Sequence, residues 1–283
     1  MIVAIASGKG GTGKTFVATN MYYSLVSAGY DSLLVDCDAE APNALAFFNK
    51  KQIDYREVTQ NIPVIDTEAC TFCGKCQEYC HYNAIFFLPE AKVIRVLEEL
   101  CHACGACSVA CKSDAITEKA YTVGKVTTYA FHGEKPDLIE ARTSVGVMSP
   151  VPVIKSAIQK AKGQSPIIIL DAPPGTSCPF IHTISAADYV VLVAEPTPFG
   201  FSDMKRSVFI LKQLNKSFGI IINRSGLGNG EVNQYLEKEG IELMADIPFS
   251  REIARLCSQG EIVVKHFSNL RDKFLAIAGN IFN

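Results

Sequence analysis

The hydrophobic positions of this chain gather in short, nearly unbroken runs. Ile2 to Ala6 (IVAIA), Ser32 to Asp36 (SLLVD), Pro166 to Asp171 (PIIILD), Tyr189 to Ala194 (YVVLVA) and Phe218 to Asn223 (FGIIIN) are five of them. Apolar runs of four to six residues, separated by helix-length stretches, predict strands of a parallel sheet covered on both faces. The stretches between predict helices over Phe16 to Leu25, Val151 to Ala161, Ser202 to Leu214, Asn229 to Glu239 and Ile262 to Ala278. The last carries Phe267, Leu270, Phe274, Leu275 and Ile277 toward one side, the pattern of a final helix packed on the sheet.

Polar residues collect where these runs end, which in an open α/β sheet is where ligands bind. After the first run comes GKGGTGKT, Gly8 to Thr15, a complete G-x-x-x-x-G-K-[ST] phosphate loop between a strand and a helix. Gly10, Gly11, Thr12 and Gly13 bring backbone N–H groups around phosphate oxygens, and the helix opens at Lys14, Thr15 and Phe16. Lys14 is placed to reach the β- and γ-phosphates and the Thr15 hydroxyl to hold Mg²⁺. Lys9 is a second lysine that this chemistry does not require. The second run ends in DCDAEAPN, Asp36 to Asn43, and the third in DAPPGTSCP, Asp171 to Pro179. Asp171 suits the Mg²⁺ shell, with Pro173 and Gly175 in a loop that can respond to the γ-phosphate. Asp38, just past its strand, can orient the attacking water or accept its proton.

Composition adds one large surprise. The 283 residues include 11 cysteines, eight of them between Cys70 and Cys111. They fall as Cys70, Cys73, Cys76, Cys80 and as Cys101, Cys104, Cys107, Cys111, each a C-x₂-C-x₂-C-x₃-C run. Moving forward 31 residues carries CTFCGKCQEYCHYNAI onto CHACGACSVACKSDAI, aligning all four cysteines, Gly74 with Gly105, and the closing Ala-Ile. This is the spacing of bacterial ferredoxins with two [4Fe–4S] clusters, where the fourth cysteine of each run ligates the other cluster. It implies one set of Cys70, Cys73, Cys76 and Cys111, and another of Cys101, Cys104, Cys107 and Cys80. Zinc and a single surviving cluster are the competing occupants. His81 and Lys112 stand where such runs usually end in proline. Cys178 and Cys257 are isolated, and the reading expects them to be small buried residues.

The expected fold class is α/β: a P-loop NTPase with a mostly parallel sheet covered by helices on both faces, plus a small inserted α+β ferredoxin-like domain. The expected division is 1–61 and 130–283 for the ATPase, with 62–129 as the insert. A net charge of -2 gives no basic field for nucleic acid. No run of 18 apolar residues occurs, so stable membrane insertion is not expected. The chain enters a core strand at once, without a signal region, and the expected compartment is cytoplasmic.

KGGTGKT, DCDAEAPN, DAPPGT and Asn223-Arg224 together resemble the deviant Walker-A ATPases of the MinD/ParA/Mrp class, specifically MinD-like members with an inserted ferredoxin domain. The resemblance covers nearly the whole chain. It implies that Lys9 crosses a nucleotide-sandwich homodimer to the partner's ATP, and a heterodimer with a similar ATPase is the other pairing it allows. It implies that Asp38 is the hydrolytic aspartate, in the Mg²⁺ site with Thr15 and Asp171, and Asn43 a cross-dimer contact. Asn223 with Pro248 and Phe249 would form the adenine pocket, Arg224 stacking over the base or pairing nearby. The cofactors expected are ATP, Mg²⁺ and two [4Fe–4S] clusters, with a redox or metallocofactor-assembly protein as partner. Three functions follow: ATP-coupled electron transfer, iron–sulfur or metallocofactor assembly, and a positioning switch whose clusters are structural or redox-sensing. The main expectation is the first.

Overall fold

The computed structural model describes residues 1–131, 133–228 and 230–282. Its strands are Ile2–Ala6 (β1), Ser32–Asp36 (β2), Lys51–Ile65 (β3), Ile85–Leu88 (β4), Val93–Val96 (β5), Ile116–Ala130 (β6), Leu138–Thr143 (β7), Ile167–Asp171 (β8), Tyr189–Ala194 (β9), Ser217–Ser225 (β10) and Leu243–Pro248 (β11). The helices are Lys14–Ser27 (α1), Lys75–Glu78 (α2), Ala106–Ala110 (α3), Val151–Ala161 (α4), Cys178–Ser185 (α5), Pro198–Gln213 (α6), Glu231–Glu239 (α7), Arg251–Ser258 (α8) and Ser268–Phe282 (α9). Two compact units emerge, one of Met1–Tyr55, Val126–Arg142 and Ile154–Asn283, the other of Arg56–Lys125 and Thr143–Val153.

The sheet runs β11-β10-β9-β1-β8-β2-β7-β6-β3, and every pairing from β11 through to β7 is parallel. All five apolar runs are strands in its centre. Both faces of β1 are covered, as a continuous apolar run requires. Val3 and Ile5 join the core formed with α1 and α9, while the alternating Ala4 and Ala6 are equally buried on the opposite face. The first unit is therefore an α/β P-loop NTPase fold, with β1 and β8 central and their carboxyl ends beside one another.

Several helix boundaries differ from the expected ones, two of them for visible local reasons. Helix α6 begins four residues before Ser202, because the Thr197 hydroxyl accepts from Gly200 N–H at 3.1 Å and Pro198 suits the first turn. The final segment is broken, with a 3₁₀ turn at Val263–Lys265 before α9. Buried Asn20 holds the Val264 N–H through its Oδ1 at 2.9 Å, diverting the backbone before the helix starts. Leu270, Phe274 and Ile277 are buried, and Phe274 meets Phe16 edge-on at 6.3 Å. Helix α7 starts at Glu231; Asn229, its expected first residue, lies outside the described residues. Among the described residues no helix is long and apolar enough to cross a membrane.

The second unit contains the hairpin β4–β5, registered Ile85↔Val96 to Leu88↔Val93, and the short helices α2 and α3. Cys76, Ile85, Ile94 and Cys107 form its small core, with Ile65, Phe72, Cys80, Phe87 and Ile116 against it.

Candidate functional site

A nucleotide cradle and a thiol cluster

The phosphate loop turns at the carboxyl end of β1. Ser7, fully buried, donates from its hydroxyl to the Lys9 carbonyl at 2.6 Å and closes the first bend. Gly13 has φ +98°, and a Cβ there would lie 2.3 Å from Asn223 Nδ2. Only glycine fits both the left-handed backbone and that approach. Asn223 Nδ2 donates to the Thr12 carbonyl at 2.7 Å, so β10 braces the loop. Lys14 opens α1 and is buried, while the Thr12 hydroxyl is buried without a hydrogen-bond partner among the described residues. The phenyl ring of Phe16 is turned into the core against Phe274, so what this residue presents to a nucleotide is its first-turn backbone.

Asp36 and Asp171 stand side by side in register on β2 and β8. Asp36 accepts from the backbone N–H groups of Asp38 (3.1 Å), Asn43 (2.9 Å) and Ala44 (2.9 Å), which fixes the loop carrying Asp38 and Asn43. Burial, and then the neighbouring Asp171, push the Asp36 carboxyl well above its ordinary range. Asp171 is 1 % exposed, and neither carboxyl oxygen has a partner of hydrogen-bond geometry among the described residues. Burial raises it to about 6 despite Lys14 and the Thr15 hydroxyl, both near enough to favour its charged form. Asp38 is raised in the same way by burial, with Lys14 opposing. A buried carboxylate and a neighbouring hydroxyl, without a well-formed hydrogen bond between them, suit a divalent cation, and the lysine beside them suits the phosphates.

Gly175, at φ +91°, donates its N–H to the Ser7 carbonyl at 3.1 Å, tying the loop after β8 to the phosphate loop; Pro173 between them is buried. Asn43 is exposed. Phe249, 49 % exposed, follows Pro248 at the end of β11, and its N–H reaches the Ser225 carbonyl at 3.2 Å. Arg224 has φ +56° and pairs with Glu195 (Nη1–Oε1 3.4 Å), while Lys9 pairs with the other oxygen of the same carboxylate (Nζ–Oε2 3.3 Å). Glu195 and Asp36 were not among the expected site residues. Each stands at or just past the carboxyl end of a buried strand, which is the one local signal they carry; the partners of Glu195 are set only by the fold.

In the second unit the 31-residue repeat is also a repeat of conformation. Phe72 and Ala103 have φ +52° and +51°, Gly74 and Gly105 +74° and +75°, Asn83 and Asp114 +51° and +50°. Equivalent cysteines share their exposure: Cys76 and Cys107 are buried, Cys73 and Cys104 exposed, and Cys70, Cys80, Cys101 and Cys111 between. The N–H groups of Phe72 and Ala103 point at the sulfurs of Cys70 and Cys101, both at 3.4 Å, and that of Ala84 at Cys80 at 3.3 Å. One cavity is lined by Cys80 together with Cys101, Cys104 and Cys107, and by Tyr82 and His102, whose rings stack at 3.8 Å. Burial pushes the Cys101 thiol up, with Cys80 and Cys104 adding to it, whereas the Lys75 N–H and the Thr71 side chain lower the Cys73 thiol, with Cys111 opposing. Cys76 is close to both Cys70 and Cys107.

Among the described residues no three His, Cys, Asp or Glu side chains converge as a single-ion site requires. A structural zinc, with Zn–S bonds of about 2.3 Å, would draw its thiolates to within about 4 Å of one another. Outside this unit, Cys257 is half-buried but Cys178 is exposed, contrary to expectation, because it begins α5 at the surface.

The CobQ/CobB/MinD/ParA nucleotide binding domain matches residues 3–264. An uncharacterized protein of Methanocaldococcus jannaschii is 29% identical, the alignment covering 98% of this chain and 96% of that one. An iron–sulfur cluster carrier protein of Pyrococcus furiosus is 21% identical over 99% and 85% of the two chains. Among solved structures, the septum site-determining protein MinD of Pyrococcus horikoshii, complexed with Mg-ADP, superposes with a TM-score of 0.59 at 19% identity, covering 99% of this chain and 95% of that one. The complete phosphate loop, its buried lysine and these matches agree, and the chain belongs to the CobQ/CobB/MinD/ParA family of nucleotide-binding domains, as an ATP-hydrolysing member related to iron–sulfur cluster carriers.

Proposed function

We propose that this ATPase works in the assembly or delivery of iron–sulfur clusters or a related metallocofactor, and that residues 62–129, between ATPase parts 1–61 and 130–283, form a ferredoxin-like insert holding two [4Fe–4S] clusters. The observation that carries this reading is the thiol cavity: it joins Cys80 of the first run to Cys101, Cys104 and Cys107 of the second. That is the crossed ligand set expected of two-cluster spacing. Cys70, Cys73, Cys76 and Cys111 would hold the other cluster. The relatedness to carrier proteins supports assembly over the expected electron-transfer role.

In the nucleotide cradle, Lys14 and the loop amides would bind the ATP phosphates, with Thr15, Asp38 and Asp171 around Mg²⁺. When bound, the cation supplies charge neutralisation at the phosphates. Asp38 positions water or takes its proton, and Lys9 crosses to the nucleotide of a second copy. Asn43 faces that copy, while Asn223, Arg224, Pro248 and Phe249 border the base.

A second reading, ATP-coupled electron transfer, draws on the same thiol sets: four thiolates per cluster leave no open position, as a permanent redox centre would have it. A transfer assay separates the two. Anaerobic, cluster-loaded protein is mixed with an apo-ferredoxin acceptor, with and without MgATP. Assembly predicts that the acceptor gains iron and sulfide only with MgATP, and that Lys14→Ala delivers none. Clusters that stay on this chain in every nucleotide state, while their reduction potentials move with ATP, would put electron transfer first.

A further inference from the structure

Glu195 stands just past β9, at the carboxyl edge of the sheet, and its side chain is only 12 % exposed. Two cations share it: Lys9 on Oε2 at 3.3 Å and Arg224 on Oε1 at 3.4 Å. Its backbone is held as firmly. The Glu195 carbonyl accepts the Thr197 N–H at 2.9 Å, and a Cβ on Gly200 would come within 2.4 Å of that oxygen. The first turn of α6 therefore closes over Glu195 only because residue 200 is glycine.

The circuit continues through β10. Arg224 N–H donates to Asn223 Oδ1 at 3.0 Å, and Asn223 Nδ2 donates to the Thr12 carbonyl at 2.7 Å. The phosphate loop is thus gripped at Lys9 through Glu195 and at Thr12 through Asn223. Both grips meet at the Asn223-Arg224 pair.

We infer that Glu195 is a positioning residue that holds Lys9 in its own protomer and releases it to the phosphates of a second, nucleotide-bearing copy. The inference rests on the reading that Lys9 acts across a dimer. An ion pair whose lysine arm is 31 % exposed is weak enough for a triphosphate to outcompete. Releasing one cation from a nearly buried carboxylate is normally costly, because the charge is left unpaired. Here Arg224 remains on Oε1, so the carboxylate keeps a partner when Lys9 departs. The shared carboxylate makes Lys9 mobile at small cost while keeping it out of its own phosphate site beforehand.

The test is the ATP concentration at which the chain dimerises, read by sedimentation for wild type, Glu195→Gln and Glu195→Asp. ATP affinity is measured separately on the Lys9→Ala background. Glu195→Gln should dimerise at roughly two- to fivefold lower ATP, the range a partly exposed ion pair supplies. Glu195→Asp, which keeps the charge on a shorter arm, should fall between, and it carries the test if the glutamine variant folds poorly. Lys9→Ala and the double variant Lys9→Ala/Glu195→Gln should both remain monomeric with equal ATP affinity, which places the effect of Glu195 on Lys9 alone. If wild type dimerises but both Glu195 variants need as much ATP or more, the inference is overturned. A wild type that stays monomeric at saturating ATP overturns the cross-protomer reading and this inference with it.

Discussion

In the proposed nucleotide cradle Lys14, Asp38 and Gly13 would act through different physics, so their substitutions should fail differently. Lys14 is buried at the start of α1, where a charge-assisted contact to phosphate has no replacement from water. Lys14→Ala should weaken ATP binding by roughly 10- to 100-fold, from a hydrogen bond between charged groups worth about 1.5–3 kcal/mol. Asp38→Ala should bind MgATP nearly as well yet hydrolyse it about a hundredfold more slowly, as loss of a positioned base does. Equal turnover in wild type and Asp38→Ala would remove that residue's assigned role. Gly13→Ala faces both a left-handed backbone and the Asn223 amide, so its unfolding midpoint in denaturant should drop, at a cost of about 1–3 kcal/mol. At this scale the phosphate loop was legible because its chemistry is local: eight consecutive residues carry it. Glu195 was not, because its partners lie on the phosphate loop and on β10, far from it in sequence. A glutamate before Pro196 reads locally as the start of a turn.

At the scale of elements, strands buried on both faces were legible and half-exposed ones were not. β1, β2, β8, β9 and β10 each contain a continuous apolar run and were all expected. β3 and β6 are 15 residues each, yet most of β3 is solvent-exposed, with charged and polar side chains and no clean alternation. Their pairing comes from neighbours in the sheet, which no local period records. The cysteine repeat was legible in spacing alone, and the matched left-handed φ values now give it a shared backbone. The proposed crossing of the fourth cysteines makes a sharp prediction. Cys80→Ala lies in the first run but should empty the set of Cys101, Cys104 and Cys107, lowering iron from about eight to about four per chain. Spectra showing loss of the other set would contradict the crossed assignment. The last helix offers a second check. Phe274→Ala removes a buried ring packed on Phe16 and should destabilise the chain by about 3–5 kcal/mol in denaturant titration. A surface helix would tolerate the change.

At the scale of the whole molecule, the chain combines a family ATPase with eight cysteines spaced as two repeated runs. The repeated turns around the sulfurs suit a larger inorganic body with several metal corners, and the backbone N–H groups aimed at Cys70, Cys80 and Cys101 suit anionic sulfur. On the proposed reading, nucleotide-driven pairing would supply a cycle, with Lys9 as the residue through which one copy senses the ATP of another. Delivery and electron transfer alike depend on what the eight thiols hold. The most direct test is elemental: iron, zinc and acid-labile sulfide counted per chain in anaerobically purified protein. The account predicts about eight irons and about eight sulfides, with no stoichiometric zinc. One or two zinc ions per chain and no sulfide would contradict it.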